Sequence, residues 1–491
     1  MNKPFYITTT LPYVNAELHI GHALEFVRAD AFARYKKITG HEVFFNTGTD
    51  EHGKKILETA EREGKNPKEY ADLYFEKFKR TVSALDISED VHFIRTTDAH
   101  HEHAAQAIWR LCRDRGYIYK KNYQAKYCVG CELEKTDSEL DENGRCPIHP
   151  NREIELLDEE NYFFAYSKIA PHLEKLYGDK PELVIPDFRF NEMKAFLSRG
   201  LTDFSISRLK SKMSWGVPVP DDDEHVMYVW FDALTNYIST LGWGSDDLSL
   251  YEKFWVNGEK IQFCGKDNTR PQSMMWQAIL LAAGLPTTDH IVVNGFLNAE
   301  GGVKMSKSLG NVVTPEDVLK EYESCAGDLA SDVLRYALLR HSNSFEDFSM
   351  TAENIREYYN AGLANGLGNL VSRVMKLAED YLVQSEQQNL LAHIEKDSSF
   401  KDVMENRFDF KLAMEIVWIY ISNMDESIQK EEPFKVIKQD REKGIKMIKK
   451  LVLELLHIAN LIEPFMPKTS AIILDLIEQN KKPEKPLFLR I

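Results

Sequence analysis

The sequence predicts an α/β protein in which a mostly parallel sheet, interrupted by an insertion, is followed by an all-α C-terminal helix bundle. The first observation is a βαβ pattern at the start of the chain. Residues 5–10 and 42–46 are runs typical of buried strands. Between them, apolar residues recur at the spacing of an amphipathic helix, at Leu24, Val27, Ala31, Tyr35 and Ile38. Such a start places a ligand site at the carboxyl ends of the strands.

Two further observations complete the prediction. The strand–helix alternation stops near residue 117 and returns in three short strand-like runs, 227–231, 260–263 and 290–293. After about Thr351 the pattern is helical almost throughout. The last long helix carries an apolar stripe and is ended by Pro464 and Pro467, the stripe being Ile445, Ile448, Val452, Leu455, Ala459 and Ile462.

We therefore divide the chain into four segments. Residues 1–116 and 226–350 are the two halves of the parallel-sheet domain, residues 117–225 are the insertion, and residues 351–491 are the helix bundle. A length of 491 residues with 43% hydrophobic residues is enough for about two to four folded domains.

Composition excludes several classes of protein. No uninterrupted apolar run approaches the roughly 20 residues of a transmembrane helix, and the N-terminus lacks the pattern of a signal peptide. The 6 cysteines are sparse, which favours a reducing, cytoplasmic location. The formal net charge of −16 argues against nucleic-acid binding by the molecule as a whole. A local basic track would suffice for a nucleic acid, and Lys443, Lys446, Lys449 and Lys450 form either such a track or a solvated helix face.

The first motif is His19-Ile20-Gly21-His22, placed between the first strand and the first helix. A helix N-terminus offers backbone N–H groups and a positive dipole end, which suit phosphate. Two histidines there can donate hydrogen bonds to ATP oxygens, and Gly21 lets an adenine lie against the backbone. The tetrapeptide alone is moderately specific, but its position after a strand makes it strong.

The second motif is Lys304-Met305-Ser306-Lys307-Ser308, flanked by Gly301-Gly302 and by Gly310. The glycines indicate a loop that opens and closes. Two lysines three residues apart can stabilise the negative charge that develops on leaving pyrophosphate. An exposed basic loop is the ordinary alternative when such a motif occurs alone.

Together these motifs resemble those of the class I aminoacyl-tRNA synthetases, and the resemblance covers the whole chain. It implies a Rossmann-type parallel-sheet catalytic domain with a zinc-containing insertion and an anticodon-binding helix bundle. It also implies two reaction steps: ATP activates an amino acid to an aminoacyl-adenylate, which then acylates the 3′ end of tRNA. Such a reaction depends on positioning and charge stabilisation. His19, His22, Lys304 and Lys307 are the implied catalytic residues, Gly21 and Asp267 join them in binding ATP, and Mg²⁺ accompanies ATP.

Further stretches resemble the methionine-specific branch of that family. They are Leu11-Pro12-Tyr13-Val14-Asn15, Thr47-Gly48-Thr49-Asp50-Glu51-His52-Gly53 and Tyr228-Val229-Trp230-Phe231-Asp232-Ala233 with Tyr237. The resemblance places Asp50 at the substrate ammonium. Trp230 and Tyr237, seven residues apart, would share one helix face, and aromatic walls suit a thioether. The implied methionine-binding residues are Thr10, Leu11, Tyr13, Asp50, Trp230, Tyr237 and Gln272.

One stretch departs from the family pattern. Many family members carry a Phe-His pair after the sequence Gly265-Lys266-Asp267, whereas this chain has Pro271-Gln272 there. We keep Gln272 as a candidate for the methionine pocket.

Paired metal-ligand residues mark the insertion. Cys128 and Cys131 are followed by Cys146 and His149, again two residues apart from each other. This spacing fits a tetrahedral Cys₃His zinc knuckle, which we interpret as structural and present once per chain. The resemblance supports zinc in this insertion, usually through cysteines alone, so His149 is a variant fourth ligand.

The anticodon-binding residues follow from the same resemblance. Asn365, Asn369 and Arg373 are four residues apart and would project from one face of the first bundle helix. Amide and guanidinium groups can bond base edges. Phe434, after Pro433, takes the place of the stacking tryptophan of the family. A polar helix exterior is the alternative reading of the three spaced residues.

Three other functions fit the sequence less well than methionine activation. A cysteinyl enzyme would use zinc in its amino-acid pocket, and here the four ligands sit together in the insertion. A tRNA-independent nucleotidyltransferase of the same superfamily would need no helix bundle, and a tRNA-binding protein without activity would not need both histidines and both lysines. The resemblance implies ATP, L-methionine and both initiator and elongator tRNA(Met) as partners. We expect a cytoplasmic monomer without membrane contact.

Overall fold

The computed structural model describes residues 2–131, 133–302, 313–383 and 397–491. The chain forms two units, each compact in itself. One consists of Met1–Glu17, His41–Arg80 and Asp90–Val293, and the other of Leu18–Gly40, Thr81–Glu89 and Asn294–Ile491. We call them the sheet unit and the helical unit. The division into four sequence segments stays a prediction.

Strands concentrate in the sheet unit. In chain order they are β1 Phe5–Thr8, β2 Val43–Thr49, β3 His92–Arg95, β4 Ile118–Cys128, β5 Leu133–Lys135, β6 Glu155–Phe164, β7 Val184–Ile185, β8 Phe204–Ser205, β9 Ser207–Leu209, β10 His225–Met227, β11 Glu259–Gly265, β12 His290–Asn294, β13 Leu297–Asn298 and β14 Phe348–Ser349.

Helices occupy most of the remaining chain. The α-helices are α1 Ile20–Ile38, α2 Lys54–Arg62, α3 Pro67–Ala84, α4 Ala99–Asp114, α5 Tyr166–Asp179, α6 Asp187–Ser198, α7 Val229–Ala233, α8 Asn236–Ser239, α9 Gln277–Ala283, α10 Pro315–Ala326, α11 Ala330–Arg340, α12 Ala352–Tyr358, α13 Gly368–Tyr381, α14 Ser398–Asp402, α15 Phe410–Glu431, α16 Pro433–Gln439, α17 Arg441–Ile462 and α18 Pro467–Gln479. The described residues also include four π-helical turns, at Tyr251–Val256, Pro271–Trp276, Tyr359–Leu367 and Val403–Arg407. Among the described helices none is long and apolar enough to cross a bilayer.

The predicted parallel sheet is confirmed. Six strands lie in the order β3-β2-β1-β11-β12-β7, and the described registers are parallel. Residues of β1 pair with β2 on one side and with β11 on the other, so the two halves of the chain form one sheet. Every residue of β1 is buried, as expected for a central parallel strand covered on both faces. The edge strand β7 comes from within residues 117–225.

The insertion contains a separate antiparallel sheet. Its strands lie in the order β5-β4-β6-β8, and β4 pairs with β6 from Ile118↔Phe164 to Tyr127↔Glu155. Cys128 ends β4 and Cys131 lies in the turn after it, while Cys146 and His149 precede β6. The pairing of β4 with β6 therefore positions the predicted metal ligands.

The helical unit confirms the predicted all-α C-terminal region. In α17 the predicted apolar stripe is buried except for half-buried Ile445, and α18 begins at Pro467. A buried ion pair joins two helices of this unit, since Arg335 of α11 lies 2.8 Å from Asp30 of α1 with both side chains fully buried. Asp30 also accepts hydrogen bonds from Ser88, so the buried charges are compensated.

One predicted strand is wrong. Residues 227–231 were expected to be a strand because they are aromatic and β-branched, but β10 ends at Met227 and α7 begins at Val229. The prediction that Trp230 and Tyr237 share one helix is also wrong. It is two short helices, α7 and α8, separated by Leu234 and Thr235.

Candidate active site and metal centre

The His19-Ile20-Gly21-His22 motif forms the N-terminus of α1. His19 is the N-cap, and its Nδ1 accepts the Gly21 N–H at 3.1 Å. His22 Nδ1 accepts the backbone N–H of His19 at 3.2 Å, which closes a capping box. Because Nδ1 accepts in both rings, each neutral imidazole carries its proton on Nε2. Both histidines are thus held as Nε2 donors at a helix N-terminus.

The two imidazole rings and the glycine between them are closely packed. The ring centroids of His19 and His22 are 3.9 Å apart. A Cβ added at Gly21 would lie 2.8 Å from His19 Cε1, so only glycine fits beside that ring. Lys304 and Lys307 of the second motif lie outside the described residues.

Some of the predicted methionine residues follow the carboxyl ends of neighbouring strands, Tyr13 after β1 and Asp50 after β2. The backbone N–H of Asp50, after β2, donates to Pro12 O at 3.0 Å, and Val14 N–H donates to Asp50 O at 3.2 Å. These bonds make an isolated parallel bridge between Tyr13 and Asp50. Asp50 is buried and Tyr13 is half-buried. The backbone pairing therefore holds Asp50 and Tyr13 side by side at the expected edge.

The departure at Pro271-Gln272 has a structural role. Gln272 lies in the π-helical turn Pro271–Trp276, and its Nε2 donates to Thr10 Oγ1 at 3.1 Å. Its side-chain oxygen is buried and has no hydrogen-bond partner among the described residues. Thr10, two residues after β1, and Gln272 of the π-turn are thus joined, and the side-chain oxygen of Gln272 remains as an acceptor for a ligand. π-turns occur often at functional sites.

Tyr237 and Trp276 belong to one hydrophobic core of the sheet unit, and Tyr13 and Trp230 pack against that core. Tyr237 of α8 lies 5.9 Å from Trp276 between ring centroids. Trp230 is half-buried, and its indole N–H has no hydrogen-bond partner in the described parts of the chain. Asn46 of β2 connects α8 to the sheet, since its side chain bonds Asn236 at 3.3 Å and Thr240 at 2.9 Å. The sequence did not identify Trp276 as a neighbour of the predicted pocket, because a buried tryptophan is usually part of a protein core.

The remaining predicted residues of this unit also lie at the carboxyl edge. Leu11, three residues after the end of β1, is buried. Asp267 is exposed and lies in the 3₁₀ turn Lys266–Asn268, immediately after β11. Since β11 is adjacent to β1, Asp267 follows the strand next to the one that leads to Thr10.

The four predicted metal ligands converge. The three thiol sulfurs of Cys128, Cys131 and Cys146 and a ring nitrogen of His149 all lie within 4.8 Å of one another. Sγ of Cys131 is 3.5 Å from Sγ of Cys146 and 3.2 Å from Nδ1 of His149. Three soft thiolates and an imidazole at these separations match a tetrahedral zinc site. A Cβ at Gly130 would lie 2.4 Å from His149 Cγ, so glycine permits the imidazole to approach.

The predicted anticodon residues lie in the helical unit, with one correction. Asn369 and Arg373 are on α13, but Asn365 lies in the π-helical turn Tyr359–Leu367. The regular four-residue spacing therefore does not describe Asn365, because a π-turn has more residues per turn. Arg373 forms an ion pair with Asp425 of α15, which the sequence did not indicate. Phe434, at the start of α16, is 40% exposed, as a stacking residue must be.

A cavity of about 410 Å³ adjoins these residues. Asn365 and Asp425 line it together with buried Trp418, whose indole N–H lacks a partner among the described residues. Arg340 stacks on the Trp418 ring at 4.4 Å. Amide, carboxylate and indole groups thus border one concave surface in the bundle.

Comparisons with known proteins show the family to which the chain belongs. A family model described as tRNA synthetases class I (M) matches residues 5–154 and 140–375, which places the chain in that class of enzymes. A methionine–tRNA ligase of Caldanaerobacter subterraneus is 38% identical over 480 residues, covering 96% of this chain and 73% of that protein. One from Thermotoga maritima is 37% identical over 494 residues, covering 98% and 76%. The chain belongs to the methionine–tRNA ligase family.

A solved structure supports the same membership. Mycobacterium tuberculosis methionyl-tRNA synthetase in complex with methionyl-adenylate superposes with a TM-score of 0.87 at 34% identity, over 96% of this chain and 94% of that one. These matches favour neither a cysteinyl enzyme nor a tRNA-independent nucleotidyltransferase.

Proposed function

We propose that this protein activates L-methionine with ATP to methionyl-adenylate and pyrophosphate, and then transfers the methionyl group to the 3′ end of tRNA(Met). The observation that carries the proposal is the bridge between Tyr13 and Asp50 at the carboxyl edge of the parallel sheet. It brings together an acidic residue and an aromatic residue, and these two residue types suit a ligand that has an ammonium group and a thioether. The family membership supports the same reaction.

The proposal assigns methionine to residues of the sheet unit. Asp50 binds the ammonium group, while Tyr13, Trp230 and Tyr237 contact the side chain, and Thr10, Leu11 and Gln272 complete the pocket. The unpartnered oxygen of Gln272 supports a polar role, since a buried acceptor without a bond is costly. Gln272 would take over a position that other family members fill with an aromatic and a histidine.

ATP is assigned to the first motif, to Asp267 and to the two lysines of the second motif. His19 and His22 donate Nε2–H groups to phosphate oxygens at the N-terminus of α1, where the helix dipole also favours negative charge. Gly21 is assigned to ATP by resemblance to the family, and its missing side chain leaves room for the His19 ring beside it. Lys304 and Lys307 neutralise the leaving pyrophosphate by resemblance to the family, and Mg²⁺ enters as the counter-ion of ATP.

We assign zinc to Cys128, Cys131, Cys146 and His149. The metal would hold together the two turns of the insertion hairpin, and four protein ligands leave no open position for substrate. The role is therefore structural.

Replacing Cys146 with alanine is expected to abolish stoichiometric zinc binding, because three ligands cannot close a tetrahedral site. Metal content per chain is measured by mass spectrometry after dialysis, and wild type should carry one zinc. Cys112→Ala is the matched control, since Cys112 is a buried thiol of α4 outside the cluster. Zinc loss from both variants, or full zinc retention in Cys146→Ala, would contradict the assignment.

The anticodon is assigned to Asn365, Asn369, Arg373 and Phe434. Amide and guanidinium groups bond base edges, and the exposed ring of Phe434 stacks on an unpaired base. Asp425 would keep the Arg373 guanidinium oriented before tRNA binds.

Arg373→Ala is expected to lower kcat/KM for tRNA by roughly 10- to 100-fold, the usual effect of losing a base contact. Adenylate formation without tRNA should not change, because that step does not use the bundle. Lys376→Ala removes an exposed cation from the same helix and serves as the control for net charge. Equal losses in the two variants would leave only a general electrostatic effect and would refute base recognition by Arg373.

The remaining assignments concern partners and location. We propose both initiator and elongator tRNA(Met) as substrates, a monomeric chain and a cytoplasmic location. The six cysteines support a reducing compartment, because no disulfide joins any of them.

Charging of tRNA tests the complete function. Purified protein is incubated with ATP, methionine and transcripts of tRNA(Met) and of a non-cognate tRNA, and acylated tRNA is separated on acidic gels. Methionylation of tRNA(Met) alone is expected. Acylation of neither transcript under conditions where a known methionine–tRNA ligase is active would refute the proposal.

A further inference from the structure

Four polar side chains form a continuous buried chain of hydrogen bonds in the sheet unit. Asp232 of α7 accepts from His52 Nδ1 at 2.7 Å through one carboxylate oxygen and from His101 Nε2 at 2.8 Å through the other. Nδ1 of His101 bonds Ser239 Oγ at 2.9 Å. His101 and Asp232 are fully buried, and His52 and Ser239 are nearly so. We call these four residues the histidine–aspartate chain.

Members of this chain adjoin the proposed methionine residues along the backbone. His52 is two residues after Asp50, Asp232 is two residues after Trp230, and Ser239 is two residues after Tyr237. Three separate segments of the pocket are therefore joined to each other through Asp232 and His101. The fourth attachment is α4, which carries His101.

Electrostatic attraction stabilises the hydrogen bonds of the histidine–aspartate chain. Burial would lower the pKa of His52, but the Asp232 carboxylate outweighs burial and raises that pKa. Burial likewise acts to raise the pKa of Asp232, and the two imidazoles lower it overall. Glu102 of α4 and Glu51 of the same loop also face His52 and favour its charged form. A buried carboxylate flanked by two imidazoles is costly to break, because either partner would be left uncompensated.

The loop that carries Asp50 is held on its other side as well. Trp215 Nε1 donates to Glu51 O, and the Trp215 ring lies 5.4 Å from the His52 ring. Arg95 Nε donates to Glu51 Oε1 at 2.7 Å. These contacts hold one side of the loop, and the histidine–aspartate chain connects its other side to α7 and α8.

We propose that the histidine–aspartate chain positions the methionine pocket. In this proposal Asp232 fixes the position of Asp50 relative to Trp230, because it bonds His52 and lies two residues after Trp230. The inference rests on the proposed methionine activation. Asp232 is a positioning residue, since it acts through its neighbours. Its loss should weaken methionine binding selectively, because three of the four segments that it joins carry proposed methionine residues.

A second acid in the same unit provides a matched control. Asp289 also bridges two basic side chains, with Lys180 and Lys260 each 2.8 Å away. It directly precedes β12 and lies at the amino end of the sheet, opposite the carboxyl edge. Asp289→Asn and Asp232→Asn thus make the same chemical change at opposite edges.

The test measures the KM for methionine and the KM for ATP in pyrophosphate exchange, together with Tm. Asp232→Asn should raise the KM for methionine by about tenfold or more while the KM for ATP stays within about twofold, the loss expected for one charged hydrogen bond. Asp289→Asn should leave both KM values unchanged whatever its Tm. Similar KM values in Asp232→Asn and Asp289→Asn would overturn the inference.

Histidine variants keep the test decisive where Asp232→Asn does not fold. His52→Gln retains a donor toward Asp232 and should recover methionine affinity relative to His52→Leu at matched Tm. Equal affinities in the two would overturn the inference. A wild-type protein that shows no exchange with methionine would instead refute the proposed function, so the two failures are distinguishable.

Discussion

Replacing Asp50 with asparagine is expected to raise the KM for methionine by about 30- to 1,000-fold, equivalent to about 2–4 kcal/mol for a buried ammonium that loses its charged partner. Asp50 is 4% exposed, so solvent cannot compensate for the lost carboxylate. The asparagine keeps the size of the side chain and the backbone bonds to Pro12 and Val14. The fold should therefore survive, and the effect should fall on substrate binding.

Steady-state pyrophosphate exchange with varied methionine, at saturating ATP, measures this effect. The KM for ATP and the Tm serve as internal checks. Asp289→Asn controls for loss of a negative charge in the same unit. A methionine KM within about twofold of wild type would exclude the ammonium role for Asp50 and would require another anion to hold the substrate, since twofold is less than 0.5 kcal/mol.

The second large effect is expected at the helix N-terminus. His19→Asn should lower kcat for exchange by roughly 100- to 1,000-fold, the range seen when one donor to developing negative charge is removed. Asparagine is a good N-cap, so the bond to Gly21 N–H can persist while the Nε2 donor is lost. His22→Asn should act similarly, because His22 Nδ1 also accepts a backbone N–H.

A capping control separates catalysis from helix stability. Thr351 caps α12 by accepting Asn354 N–H at 3.2 Å, and Thr351→Ala should cost about 1 kcal/mol of stability without changing kcat. If His19→Asn keeps full activity and only His19→Ala loses it, the role of His19 is to cap the helix rather than to bind ATP.

Much of the architecture was predictable because it depends on local patterns. The first strand, helix and strand were expected near the places where β1, α1 and β2 are found. The cysteine and histidine spacing predicted the cluster of four possible metal ligands, which the pairing of β4 with β6 brings together. The first motif was read correctly as a helix N-terminus, and its capping box is a local feature.

Other features required the tertiary structure. His101 and His52 are 131 and 180 residues away from Asp232 in the sequence, so no local pattern could join them. The ion pair of Arg373 with Asp425 spans 52 residues. The π-turns were not predicted, because a π-turn adds residues to a helical turn and leaves the spacing of the apolar residues close to that of an ordinary α-helix. Aromatic and β-branched residues at 228–231 favoured a strand by composition, whereas Asp232, bonded to two histidines, lies in a helix.

Pyrophosphate exchange with each of the twenty amino acids, measured separately and without tRNA, tests the central claim most directly. We expect methionine to drive exchange far above every other amino acid, because Asp50 and the aromatic side chains of the sheet unit fit an ammonium and a thioether together. Exchange driven chiefly by a different amino acid would contradict the methionine pocket. Exchange with none of the twenty, by protein that is folded and loaded with zinc, would contradict the proposed activation reaction itself.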